Sequence, residues 1–182
     1  ADAIESTAKI QTIIFDKTGT LTKGEPSVTD IVAVGLPDTE VLRLAAVAEK
    51  NSEHPLGEAI IRAATNKSLE LPDPNSFEAI PGHGVKAVLN NKAILLGNRL
   101  LMESEGIKVD NLLERATELE KQGKTVMFVA VDGAAAGLIA VADTLKEDSA
   151  AAVAALHRMG IEVAMITGDN RRTAQAIAGQ VG

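Results

Sequence analysis

The sequence predicts a parallel α/β domain interrupted by an inserted α+β domain. Three observations carry this. Two short apolar runs, residues 10–15 (IQTIIF) and 161–166 (IEVAMI), lie near opposite ends of the chain, and each leads into a polar, glycine-containing loop. The stretch between them holds paired apolar runs separated by turn signals, the mark of an antiparallel sheet with helices. The texture changes near residues 21–26 and again near 140–146, where the chain is expected to cross between domains. The expected division is therefore 1–23 and 141–182 for the parallel domain and 24–140 for the insert.

The elements follow in order. Residues 10–15 form a short buried strand that ends at Asp16, and a Gly/Thr-rich loop runs on to Gly24. Residues 27–34 form a second strand. Pro37-Asp38 opens a helix with Asp38 as N-cap, and Val41, Leu42, Leu44, Ala45 and Ala48 give it an apolar stripe. Pro55 suits the first position of the next helix, whose inner face is Leu56, Ala59, Ile60, Ala63 and Ala64. Strands follow at 77–80, 85–89 and 93–96, with Asn90-Asn91 as a hairpin turn. A helix over 110–122 stops at Gly123. Strands at 126–131 and 136–141 are joined near Asp132-Gly133. A helix from 146 to 159 ends at Gly160, the strand at 161–166 follows, and a last helix starts near Asn170.

Composition narrows the function. The 182 residues are 46% hydrophobic but only 2% aromatic, so the core must be Ala, Val, Ile and Leu. A formal net charge of −7 argues against a nucleic-acid partner and against a polybasic membrane-surface protein. With no cysteine there is neither a disulfide nor a thiolate metal site. The most apolar stretch, residues 127–142, is broken by Asp132 and by glycines, and falls short of the ~20 apolar residues that span a bilayer.

The strongest chemical signal is DKTGTLT at residues 16–22. A carboxylate at the carboxyl end of a parallel strand lies where open α/β sheets place their ligands. Such a carboxylate can act as a nucleophile and form an aspartyl phosphate. Nearby glycines and threonines offer N–H groups and hydroxyls to phosphate oxygens, and Lys17 adds positive charge. Thr167-Gly168-Asp169 follows the second buried strand and completes the pattern.

DKTGTLT resembles the phosphorylation motif of P-type ATPases, within the haloacid dehalogenase superfamily. The resemblance implies a haloacid-dehalogenase-like, Rossmann-type phosphorylation domain, with Asp16, Lys17, Thr18, Thr167, Gly168 and Asp169 as its catalytic set. Phosphatases of that superfamily usually carry a second Asp two residues after the nucleophile. Thr18 stands there instead and cannot serve as a general acid or base at neutral pH, so the acyl phosphate should persist. ADTLK at 142–146 resembles the hinge segment of metal pumps, and Asp143 is also placed to cap the following helix.

SEHPL at 52–56, PGHGV at 81–85 and Gly97-Asn98 resemble the nucleotide-site elements of heavy-metal P-type ATPases. They imply an ATP site built from Glu53, His54, Gly82, Gly84, Gly97 and Asn98, with Glu53 and His54 facing the adenine. His83 holds the variable middle position of GHG and is given no role. The resemblance further implies Mg²⁺ held by Asp16 and the Thr18 backbone. It implies transmembrane and actuator domains of the same pump as partners, and a cytoplasmic location beneath a membrane part. In the family a GDGxND segment comes later than Gly182, so this stretch by itself is expected to turn over little ATP and to leave the transported metal unbound. The texture of residues 137–149 and 97–102 is most similar to copper(I) pumps, while zinc, cadmium and lead pumps share SEHP. A soluble phosphatase and a nucleotide-binding module without turnover are the competing readings.

Overall fold

The computed structural model describes residues 10–168 and 171–182. Within it the chain divides into two compact units. One comprises the stretch ending at Glu25 together with Asp143–Gly182, and the other is Pro26–Ala142.

The first unit opens with β1 (Thr12–Asp16). The second then supplies β2 (Ser27–Ala33), α1 (Asp38–Glu49), α2 (Pro55–Asn66), β3 (Ser76–Ile80), β4 (Gly84–Leu89), β5 (Lys92–Gly97), α3 (Arg99–Ser104), α4 (Asp110–Lys121), β6 (Thr125–Val131) and β7 (Ala134–Ala142). The chain returns to the first unit with α5 (Ser149–Arg158), β8 (Glu162–Ile166) and α6 (Arg171–Val181).

In the second unit six antiparallel strands lie in the order β2-β7-β6-β5-β4-β3. Helices cover both faces. Val85, Ala87, Ile94, Leu96, Met127 and Val129 pack with α1 and α2, whereas Val126, Phe128, Ala130, Leu138 and Ala140 pack with α3 and α4. Burial on both sides explains why β6 and β7 read as continuous apolar runs, since antiparallel sheets with one wet face alternate instead. Asn90 and Asn91 have φ of 48° and 64°, and Asp132 and Gly133 have 48° and 82°, so both predicted hairpins turn through left-handed pairs.

In the first unit β1 and β8 pair in parallel. Phe15, Val163 and Met165 pack on Leu21, Val153 and Val181. The opposite face carries Ile14 and Ile166, which are 67% and 62% exposed.

Four local expectations are corrected. Asp38 does not cap α1; the helix begins at Asp38, and Pro37 holds the cap position with its carbonyl accepting from Glu40 and Val41. The fixed φ of proline suits that extended position, and Asp38 serves as an acidic first-turn residue at the positive end of the helix dipole. The helix expected from 146 starts at Ser149, because Lys146 N–H is bonded to Leu21 O and Leu145 is bridged to Thr22. Asp143 consequently caps no helix. Helix α3 was not anticipated; it has six residues, too few for a periodic signal, and starts on the Asn98 side chain.

Asp30 on β2 accepts from Lys124 Nζ at 2.6 Å and from Thr29 Oγ1 at 2.8 Å, with Arg115 at 3.7 Å. Partial burial works to raise its pKa, but the Lys124 and Thr29 hydrogen bonds and the Lys124 and Arg115 charges outweigh it and hold it below the usual carboxylate value. A depressed pKa contributes stability that is full above the unfolded value and is lost as pH falls through the folded one. Asp30→Asn should thus cost about 0.5–1 kcal/mol at pH 7. In urea melts the gap between variant and parent should close below a pH of about 4. A gap that persists unchanged at acid pH would contradict this.

Candidate functional site

Asp16 is the last residue of β1, and its register partner Ile166 is the last residue of β8. Since the strands are parallel, Asp16 and the Thr167-Gly168 turn emerge together at the carboxyl end of the pair. Asp16 is exposed, Thr167 is half-buried and Gly168 is exposed. Asp169 lies outside the described residues.

The loop after Asp16 is held in one shape. Thr18 (φ −77°, ψ 122°) and Gly19 (φ 76°, ψ −13°) have the dihedrals of a type II turn, whose third position calls for glycine. Thr22 is fully buried. Its N–H donates to Lys17 O at 3.0 Å, and its hydroxyl accepts from Gly19 N–H at 3.3 Å. That hydroxyl also lies 3.0 Å from Lys17 O and 2.5 Å from Asp143 Oδ2. It has one proton to give, and the carboxylate is the stronger acceptor.

Residues of the returning chain strap this loop. Asp143 Oδ1 accepts from Gly24 N–H at 3.1 Å, Lys23 N–H donates to Thr144 O at 2.8 Å, and Ser149 Oγ donates to Leu21 O at 2.7 Å. Lys146 Nζ reaches Gly19 O at 2.7 Å. Sequence reading singled out the segment 142–146 as a motif but foresaw none of these contacts, because the partners of Asp143, Lys146 and Ser149 lie 121, 127 and 128 residues away.

In the second unit Gly82, Gly84, Gly97 and Asn98 come together. Asn98 N–H donates to His83 O and its Nδ2 to Gly82 O, both at 2.8 Å, while its Oδ1 accepts from Leu101 N–H at 3.0 Å. One side chain thus ties the glycine turn to the start of α3. Gly84 and Gly97 are register partners on β4 and β5. A Cβ on Gly84 would lie 2.1 Å from Leu96 O, and one on Gly97 would lie 2.3 Å from His83 O. Close strand approach therefore requires both glycines, whatever they also offer a ligand. Gly82 (φ 74°) has open space around it. His83 Nδ1 lies 2.9 Å from Pro81 O.

His54 sits at the N-cap of α2, where its Nδ1 accepts from Leu56 N–H at 3.2 Å. An accepting Nδ1 leaves the proton of the neutral ring on Nε2, an outward donor. His54 N–H donates to Ser52 Oγ at 3.2 Å. Glu53 and His54 are exposed. No hydrogen bond among the described residues joins them to the Gly82–Asn98 cluster.

Sequence reading missed Glu49. It ends α1 at 4% exposure, and its Oε2 has no hydrogen-bond partner. Burial raises its pKa above the usual carboxylate value, against the opposing Ser52 hydrogen bond and the His54 charge. A buried carboxyl oxygen without a partner costs free energy and invites a donor. The signal available in sequence was a Glu that directly follows the apolar run of residues 44–48, five residues before His54. A groove of about 550 Å³ beside β3, β4, β5 and Ile107 contains none of these residues. Among the described residues no group of three or more His, Cys, Asp or Glu could hold a metal ion.

The haloacid dehalogenase-like hydrolase model matches residues 10–182. The chain belongs to that family, in its P-type ATPase branch. It is 52% identical over 180 residues to the copper-exporting P-type ATPase of Bacillus subtilis, covering 98% of this chain and 22% of that protein. It is 52% identical over 179 residues to the probable copper-exporting P-type ATPase of Archaeoglobus fulgidus, again over 98% and 22%. Among solved P-type structures, a zinc-transporting PIB-type ATPase in its E2.Pi state superposes with a TM-score of 0.76 at 38% identity, over 99% of this chain and 29% of that one. The N-domain of a copper-transporting P-type ATPase superposes at 0.56 and 30% identity, over 65% of this chain and 99% of that domain. The chain spans 22–24% of the length of the curated P-type relatives it matches. No helix among its described residues is long and apolar enough to cross a membrane.

Proposed function

We propose that this chain is the ATP-binding and phosphorylation region of a heavy-metal pump, with Asp16 as the phosphorylated residue. The observation that carries the reading is the placement of Asp16. It is exposed at the carboxyl end of a parallel strand pair, beside Thr167-Gly168 and ahead of a loop that is held by hydrogen bonds from residues 143–149. An Asp16 oxygen attacks the γ-phosphorus of ATP, the bond to the β–γ bridging oxygen breaks, and ADP leaves. Water later cleaves the acyl phosphate. Lys17 and the Thr167 hydroxyl face the transferred charge, as positioning and charge neutralisation dominate such transfers. Thr18 supplies no carboxylate to speed that cleavage, which disfavours a soluble phosphatase.

The second unit would hold the nucleotide. Gly82, Gly84, Gly97 and Asn98 offer backbone to it, His54 Nε2–H donates, and the Glu49 carboxyl accepts from the exocyclic amine of adenine. The partnerless Oε2 of Glu49 supports this assignment. Glu53, exposed beside His54, takes a supporting part. Asp16 and the Thr18 carbonyl suit Mg²⁺, which takes one or two carboxylates and completes its shell with phosphate oxygens and waters. The names of the relatives favour Cu(I) export for the whole protein, with this region on the cytoplasmic side, working with transmembrane and actuator domains.

Calorimetric titration with ATP tests the nucleotide reading. His54→Ala and Glu49→Ala should each weaken binding by roughly 5–150-fold, the loss of one well-made hydrogen bond. Unchanged affinity in both variants would remove the adenine assignment, and no binding to the parent chain would remove the nucleotide reading altogether.

A further inference from the structure

The contact between Glu49 and Gly57 extends the nucleotide reading and rests on it. Gly57 is the third residue of α2, is buried, and faces the end of α1. A Cβ built on it would lie 2.4 Å from Glu49 Oε2, 2.9 Å from its Cδ and 3.2 Å from its Cβ. The Glu49 carboxyl is therefore packed against the bare face of this glycine through Oε2. Two independent facts meet here: a carboxyl oxygen that is buried and partnerless, and a helical glycine whose missing methyl is what that oxygen occupies. Glycine carries no benefit to the helix itself, since it is a poorer helix former than Ala.

We infer that Gly57 is a positioning residue of the nucleotide site: its missing side chain forms the slot that holds the Glu49 carboxyl beneath the Ser52–His54 loop. The clashing atom is the free end of a side chain, while the Glu49 and Gly57 backbones belong to packed helices. A methyl at position 57 would therefore evict the carboxyl and leave the helices in place. Glu49 would then face away from whatever His54 binds. Its acceptor also discriminates between bases, because guanine presents a carbonyl where adenine presents an amine. Gly57 accordingly governs base selectivity as well as affinity.

The test uses the 182-residue chain with ATP and GTP as probes. Gly57→Ala should weaken ATP binding about tenfold, the scale of one lost hydrogen bond, and narrow the ATP-over-GTP preference. In a Glu49→Ala background there is no carboxyl to evict, so adding Gly57→Ala should change ATP affinity no further, the non-additivity expected of a contacting pair. A second readout needs no nucleotide. Carbon-13 NMR of the Glu49 carboxyl should show its elevated titration midpoint return towards the ordinary carboxylate value in Gly57→Ala, with amide dispersion retained. Additive losses in the double variant, an unchanged ATP/GTP ratio, or an unmoved carboxyl titration would overturn the inference. If the parent chain binds no ATP, the nucleotide reading fails, and the carboxyl titration still decides whether Gly57 forms the slot.

Discussion

Asp16→Asn should abolish acid-stable incorporation of γ-phosphate from ATP in a protein that carries this chain at the length of its relatives. The change replaces one carboxylate oxygen by an amide nitrogen and leaves the side-chain shape intact. An amide has no anionic oxygen to attack phosphorus, so the covalent route is closed rather than slowed. Asp16 is exposed, and the hydrogen bonds that hold the loop run through Lys17, Gly19, Leu21, Thr22 and Gly24, so the loop should keep its shape. ATP should still titrate onto the second unit with parental affinity, which separates lost chemistry from lost binding. The assay is labelled phosphate retained in acid and released by hydroxylamine, the signature of an acyl phosphate. Equal labelling in the Asn variant would move the nucleophile elsewhere.

Gly84→Val should destabilise the second unit by about 3–5 kcal/mol, near the top of the range for single substitutions. Three nearby atoms decide this. The new Cβ would meet Leu96 O at 2.1 Å, Gly97 Cα at 2.5 Å and Leu96 C at 3.0 Å, all of them backbone of the neighbouring strand. No side chain can swing aside, so β4 and β5 must part, and the residue must also hold a φ of 147°. Gly82→Ala is the control. It keeps a positive φ of 74° but has open space, so strain alone remains, on the order of 1–2 kcal/mol. Urea unfolding of the two variants measures the difference. If Gly84→Val costs no more than Gly82→Ala, the close strand approach is not what the glycine serves.

Much of this architecture was legible in the residues. The strand positions followed from apolar runs, and both hairpins from Asn90-Asn91 and Asp132-Gly133, because left-handed turn pairs admit few residue types. Pro55 marked the start of α2, since its fixed φ suits a first turn. The chemistry of DKTGTLT was legible because a nucleophile, its loop and its strand are contiguous.

Where the sequence fell short, the deciding contact mostly joined residues far apart in the chain, the Pro37 cap being the local exception. Asp38 and Asp143 were both read as helix caps from their neighbours alone, yet Pro37 holds the first cap and Asp143 bonds Thr22, 121 residues away. Six residues of α3 were too few for a periodic pattern, and the helix stands on a cap from Asn98 that is itself tied to Gly82. By itself, then, the sequence determined where strands and turns fall, and which carboxylate stands at the end of a parallel strand. Those depend on local backbone preference and on the order of residues along one element. Tertiary structure alone decided that Gly84 and Gly97 touch backbone to backbone, that Lys146 reaches the Gly19 carbonyl, and that the Glu49 carboxyl is buried against Gly57. Each depends on how closely two elements approach, a distance set by packing across the fold and written in no single stretch of residues.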